Sequence, residues 1–170
     1  TPGQDLRFDI KKLDSCGNFI NKIWNASRYV QMQLDDSIPV LDTTKLSSSD
    51  QWIIARFNEV LESVTTNMEK YELAIAGNEL YSFVWNDFCS WYIELSKSNL
   101  HSEDSEVVES TKAVLYTMLV NILKLLSPFM PFVTEEIYTS LPHEKESINV
   151  EAWPESISFD YSQEDKEEME

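Results

Sequence analysis

Polar and aromatic side chains recur at helical spacing near the start of the sequence. They step by four, three, four, three and four residues and so share one face of a helix: Lys11, Ser15, Asn18, Lys22, Asn25 and Tyr29. Arg28 flanks this face beside Asn25. Cations contact phosphates or base acceptors, amides read base edges, and rings stack on unpaired bases. The stripe is therefore a hypothesis for single-stranded nucleotide recognition, and an ordinary solvated helix face is the alternative that spacing leaves open.

The charge of the chain is distributed unevenly. The sum is −17, from 13 basic and 30 acidic residues, and taken whole it argues against a nucleic-acid partner. Residues 1–34, however, hold five basic and three acidic side chains, a sum of +2, whereas residues 35–170 sum to −19. We therefore expect the first helix to face an anion and the acidic remainder to point away from it.

Motifs for catalysis or metal binding are missing from the sequence. His101 and His143 lie in polar stretches, and neither is four residues from another candidate ligand. Glycine-rich phosphate loops and nucleophile motifs do not occur, so we expect no catalytic and no metal residues in this chain. Asp87 stands within an aromatic run, and we expect a partly buried carboxylate paired with Arg56 or a backbone donor.

The elements that would position the stripe are long helices. Only three glycines are present, and no proline falls between Pro39 and Pro128. Apolar periodicity predicts five helices, at about residues 9–34, 47–71, 73–100, 107–126 and 131–141, and a brief strand at 147–150. The expected fold is all-α, an antiparallel helical bundle of about five helices in one domain, residues 1–154, followed by an acidic tail, 155–170.

Three details of the packing follow from the same periodicity. In the first helix, Ile20, Trp24 and Val30 are expected in the core, and Gly17 is expected at a close helix contact. In the third helix, Trp91 is expected in the core with Phe88.

The sequence also bears on the location of the protein. Its apolar runs are too short for a membrane span, and no leader is expected. The two cysteines are expected to be reduced in a cytoplasmic protein.

Three segments, in order, resemble one protein family. Residues 18–30 (NFINKIWNASRYV), following PGQDLRFD, are similar to the start of the anticodon-binding helical domain of valyl-tRNA synthetases, which are class I enzymes. Residues 85–97 (WNDFCSWYIELSK) resemble the most distinctive run of that domain. Residues 125–142 (LLSPFMPFVTEEIYTSLP) resemble its closing run, which isoleucyl and leucyl enzymes share.

The resemblance implies a tRNA anticodon recognition module of a valine–tRNA ligase. It implies that Lys11, Lys22, Asn25, Arg28 and Tyr29 bind the anticodon, with the Tyr29 ring stacked on a base. It also implies that ATP and Mg belong to the catalytic domain of the parent enzyme, because neither the HIGH-like nor the KMSKS-like signature is in this chain. No cofactor is then expected in this fragment, which alone should neither activate valine nor edit mischarged tRNA.

The expected partners are the anticodon arm of tRNA(Val) and the remaining domains of the synthetase, with no membrane partner and a monomeric state. Two alternatives stay open at this point. One is the anticodon domain of an isoleucyl-tRNA synthetase, which the WNDFCSWYIE run disfavours. The other is a non-catalytic acidic helical protein-interaction domain, which would leave the positive sum of residues 1–34 unexplained.

Overall fold

The fold is a bundle of five helices. The computed structural model describes the backbone of residues 10–159 and the side chains of residues 17–159. Its helices are α1 (Ile10–Gln33), α2 (Ser48–Glu69), α3 (residues 73–100), α4 (Ser105–Leu126) and α5 (Pro131–Ser140). The described residues contain no strand, which confirms the all-α expectation. The segment expected as a strand at 147–150 is one 3₁₀ turn, Ile148–Val150, in which the Asn149 amide donates to the Ser147 hydroxyl at 3.1 Å.

Helix α1 turns inward only part of the apolar stripe that its periodicity predicted. Val30 is buried as expected, but Phe19 and Ile23 are buried in place of Ile20 and Trp24, which are only half-buried at the edge of the core. Before Val30, the prediction had placed the stripe one residue out of register. The close contact expected at Gly17 was also wrong, because a Cβ there would meet nothing within 4 Å.

Helix α2 begins at a capping box. The Asp50 amide donates to the Ser47 hydroxyl at 3.2 Å, and the Ser47 amide donates to the Asp50 carboxylate at 3.1 Å. The following turns bury Ile53, Phe57 and Val64 against the other helices. Residues from the loop before the cap, 34–47, lie along the outside of the bundle with half-buried apolar side chains.

The middle segment of helix α3 departs from α-helical geometry. Leu73–Ser82 and Ile93–Leu100 are α-helical, but Phe83–Tyr92 form a π-helix, in which each amide bonds to a carbonyl five residues earlier. The wider turn puts Tyr92, rather than Trp91, in the core below Phe88. Trp91 is 61% exposed, so the expectation of a buried Trp91 was wrong.

Helices α4 and α5 complete the core. The apolar residues expected on α4 are all buried: Val114, Leu115, Met118, Leu119, Ile122, Leu125 and Leu126. Pro131 begins α5, as proline at a first helical position commonly does. The helix buries Ile137 and Tyr138 against the bundle.

The segment after α5 is fastened to α2. The Asn58 side chain donates to the Ile157 carbonyl and accepts from the Ile157 amide, both at 2.8 Å. The Trp153 indole donates to Thr65 at 3.0 Å. Packing therefore continues past Pro154 to at least Phe159, which is half-buried. Over the described residues, no helix is both long and apolar enough to cross a membrane.

Candidate nucleic-acid interface

The buried residues of α1 fix which of its polar side chains reach solvent. Because Ile23 and Val30 point into the core, Asn25 and Arg28 are exposed on the opposite side. Lys22 and Tyr29, seven residues apart and therefore on one line, are half-buried along the edge of that surface. The structure thus brings four of the five expected site residues onto one continuous face, which we call the α1 face (Lys22, Asn25, Arg28 and Tyr29).

The edge that carries Lys22 and Tyr29 lies against α3. The two helices run in parallel, since contacts between them progress in the same direction along both chains: Phe19 with Tyr81, Lys22 with Trp85, and Tyr29 with Lys97. We call the line between them the α1–α3 groove. It holds alternating cations and rings from the two helices.

The Lys22 ammonium sits at one end of a ladder of rings. Its Nζ lies 5.0 Å from the centroid of the Trp85 ring, within range of a cation–π interaction. Trp85 stacks on Tyr81 at 5.8 Å, and Tyr81 stacks on Phe19 at 4.6 Å. The end of a long, flexible side chain is therefore held over a ring that is itself fixed by core packing.

Beneath Lys22, the π-helix buries Cys89. Burial raises the pKa of this thiol to about 12, although the charge of Lys22 acts in the opposite direction. Cys89 is therefore an inert thiol and not a nucleophile. The other cysteine, Cys16, has a side chain outside the described residues.

At the other end of the groove, Lys97 lies over Tyr29. The Lys97 Nζ is 5.8 Å from the ring centroid and pairs with the Glu94 carboxylate at 2.9 Å. The hydrogen bond and charge of Glu94 raise the pKa of Lys97, so the ammonium stays protonated throughout the physiological range. Tyr29 therefore has a cation beside its ring in the absence of RNA.

The cations of the α1 face are not neutralised by neighbouring acids. Within residues 17–159, the basic side chains paired with a carboxylate are Lys45, Arg56, Lys97, Lys112 and Lys124. Lys22 and Arg28 form no ion pair with any described residue, and the sequence has no acid from Gly17 to Leu34. In so acidic a chain, this leaves a face able to attract phosphate.

Two groups in the groove were missed by the sequence analysis, Trp85 and Lys97, because they come from a helix about sixty residues later. Spacing along one helix could not have found them. The exposed Met32, at 79%, was missed as well, although it is four residues from Arg28 and so continues the α1 face. The remaining expected residue, Lys11, has a side chain outside the described residues.

The Asp87 prediction is confirmed. Its carboxylate accepts from Arg56 Nε at 3.1 Å and is only 20% exposed. This ion pair joins α2 to the π-helix.

A second concave site on the described surface is less suited to RNA than the α1 face. An open cleft of about 260 Å³ lies between the 34–47 loop and the start of α4, but three carboxylates line it: Asp42, Glu106 and Glu109. Their charge repels phosphate. The described residues contain no group of three or more His, Cys, Asp or Glu side chains that could hold a metal ion.

Comparison with known protein families gives a match over most of the chain. Residues 50–170 match the family described as the anticodon-binding domain of tRNA ligase. The chain belongs to this family. Its helical architecture, with α2 to α5 inside the matched range, agrees with the fold that the resemblance implied.

Curated relatives are considerably longer than this chain. It is 54% identical over 155 residues to a valine–tRNA ligase of Bacillus thuringiensis, covering 90% of this chain and 18% of the relative. Valine–tRNA ligases of Listeria innocua and Oceanobacillus iheyensis are 51% and 49% identical, over 91% and 96% of this chain. The chain thus spans about a fifth of the length of these relatives.

The family match and the matches to the valine–tRNA ligases differ in whether they include α1. The family match begins at Asp50, after α1 has ended. The matches to the valine–tRNA ligases leave a tenth of the chain or less uncovered, so residues 22–29 fall inside them wherever the uncovered residues lie. The similarity to these ligases therefore includes the α1 face.

Proposed function

We propose that this chain is the anticodon-recognition module of a valine–tRNA ligase, the enzyme that attaches valine to tRNA(Val). The observation that carries the proposal is the α1 face, with its unpaired Lys22 and Arg28 beside Asn25 and the Tyr29 ring. Membership in the anticodon-binding family and similarity to relatives named valine–tRNA ligase support it. Those names also favour a valine over an isoleucine enzyme.

Recognition follows from the chemistry of the four side chains. An anticodon is unpaired, so its bases present both their faces and their hydrogen-bonding edges. Tyr29 stacks on a base, Asn25 donates to and accepts from a base edge, and Lys22 and Arg28 donate to phosphates or base acceptors. Lys11, about three helical turns before Lys22 on the same stripe, adds a further cation.

The remaining four-fifths of the ligase supplies the reaction. We propose that ATP and Mg²⁺ bind there, because neither the HIGH-like nor the KMSKS-like signature is in this chain. Most of the affinity for tRNA then also resides there, since the acidic body of this module repels RNA. The ligase is proposed to be a cytoplasmic monomer.

The test is a titration of this chain with an RNA stem-loop that carries a valine anticodon, monitored by NMR at low and at moderate salt. The wild-type chain should bind with a dissociation constant on the order of 10⁻⁴ M. The shifts should be confined to the α1 face and its neighbours. They should be lost when the anticodon is changed.

Charge reversal provides the matched control. Lys22→Glu and Arg28→Glu should each abolish the shifts, whereas Lys70→Glu, an equal change at the end of α2, should weaken binding only slightly. The same variants are then tested for valylation by the intact ligase. Equal losses in all three variants would refute the α1 face in favour of a general charge effect, and RNA binding that is unchanged by Lys22→Glu and Arg28→Glu would favour an acidic protein-interaction domain instead.

A further inference from the structure

The cation–ring pairs of the α1–α3 groove join residues of α3 to the α1 face. On the basis of the function proposed above, we infer that the RNA-binding surface extends across the groove onto α3. There, Lys97 contacts an RNA phosphate, and Trp85 is a positioning residue that holds the Lys22 ammonium toward the RNA.

Lys97 is suited to bind a phosphate because of its position on α3 and its available N–H donors. It is the only basic residue of α3, and its side chain is 47% exposed. Its ammonium has three donors, and Glu94 engages one edge of it. Because the phosphate of a nucleotide is attached close to its base, a base stacked on Tyr29 brings a phosphate near the cation that already lies 5.8 Å from that ring.

Trp85 is suited to hold Lys22 because the ring cannot move easily. It stacks on Tyr81, and the Ser90 hydroxyl donates to the Trp85 carbonyl at 2.9 Å, which supports the wide π-helical turn. The ring attracts the ammonium of Lys22 without using a conventional acceptor, so the N–H groups remain available to RNA. An unsupported lysine would lose more rotamer entropy on binding.

The first test removes the cation of α3. Lys97→Met should weaken binding of the valine-anticodon stem-loop about three- to tenfold at low salt and lower the slope of log K against log salt by about 0.7. Lys70→Met is the matched control, since it removes the same charge at the end of α2, just before the opposite end of α3. Equal losses for the two variants would overturn the inference.

A second variant excludes an indirect effect of Glu94. Lys97→Met leaves this carboxylate unpaired, and its charge alone could repel RNA. If Lys97 contacts phosphate, Glu94→Gln combined with Lys97→Met still shows the reduced salt slope. Recovery of the wild-type affinity and slope in the double variant would mean that Lys97 only neutralises Glu94, and the phosphate contact would be wrong.

The third test concerns Trp85. Trp85→Phe keeps a ring under Lys22 and should bind almost as wild type, whereas Trp85→Leu should bind about as weakly as Lys22→Met. Adding Trp85→Leu to Lys22→Met should cost nothing further. The Lys22 ε-methylene proton shift, displaced by the ring current in wild type, should return to its free value in Trp85→Leu. Additive losses would show that Trp85 does not act through Lys22.

The same titrations separate this inference from the proposed function. If Lys22→Glu and Arg28→Glu abolish binding while Lys97→Met and Trp85→Leu leave it intact, the α1 face binds RNA and the extension onto α3 is wrong. If none of the four changes affects binding, the proposed function itself fails.

Discussion

Replacing Tyr92 with Phe tests how the start of α2 is joined to the π-helix of α3. The Tyr92 hydroxyl donates to Asp50 Oδ1 at 2.6 Å, and the two residues are 0% and 1% exposed. Asp50 Oδ2 accepts from the Ser47 amide in the capping box. The Tyr92→Phe change keeps the buried ring but leaves Oδ1 of a buried carboxylate without its donor.

The expected loss at pH 7 is about 2–3 kcal/mol in the free energy of unfolding. Hydrogen bonds to charged groups contribute ~1.5–3 kcal/mol, and both residues are almost fully buried. For a domain of this size, the loss corresponds to a fall in Tm of about 4–12 °C.

The size of the effect should depend on pH. Burial raises the pKa of Asp50 above its usual value of 3.8, while the hydrogen bond from Tyr92 acts to lower it. Stability from a raised carboxyl pKa is fully present below pH 3.8 and is lost as the pH rises through the folded-state pKa. Tyr92→Phe raises that pKa further, so the destabilisation should be greater at pH 7 than at pH 4.

The assay is urea unfolding at the two pH values. Tyr116→Phe is the matched control, because its hydroxyl donates to the neutral Pro142 carbonyl and its loss should cost the same at both. In an Asp50→Asn background, Tyr92→Phe should lose its pH dependence. A cost for Tyr92→Phe that is equal at pH 4 and pH 7, or below ~0.5 kcal/mol, would refute the role assigned to this hydrogen bond.

Three further predictions concern single positions. Gly17→Ala should raise the free energy of unfolding by about 0.5–1 kcal/mol, because the site is a helix interior with open space; a lower Tm would contradict this. Asn58→Ala should speed hydrogen exchange at the Ile157 amide more than tenfold while α4 amides are unchanged, and equal protection would show that the segment is held by other contacts. In a Cys16→Ser background, Cys89 should react with a thiol reagent at pH 8 only after unfolding, because burial raises its pKa to about 12, and rapid labelling of the native protein would contradict the buried site.

Helix positions could be predicted from the sequence because apolar spacing and breakers act locally. The prediction for helix α4, which has unbroken apolar periodicity between a polar start and Pro128, was correct for every core residue that it named. Two errors arose where tertiary packing decides. On α1, Ile20 and Ile23 both fit an apolar stripe, and only packing against the rest of the bundle selects Ile23. The segment expected as a strand at 147–150 has no partner strand among the described residues and instead forms one turn capped by Ser147.

The candidate site was predictable only in part, for a related reason. The stripe of α1 is a property of one helix, and four of its residues lie on the surface expected of them. Trp85 and Lys97 join it only because α1 and α3 run in parallel with matching contacts along their length. Such pairs cannot be found from spacing within one helix.

The π-helix connects the core to the groove. Leu80, Val84, Phe88 and Tyr92 are fully buried at intervals of four residues, which an α-helix of 3.6 residues per turn would carry steadily around its axis. The wider turn keeps all four pointing inward, as the bond from Tyr92 to Asp50 requires. The same register leaves Trp85 on the side that faces α1, beneath the Lys22 ammonium, and turns Trp91 out to solvent. A buried hydrogen bond at one end of this segment and a cation held over a ring at the other thus depend on one backbone conformation, and a change that restored α-helical spacing would disturb both.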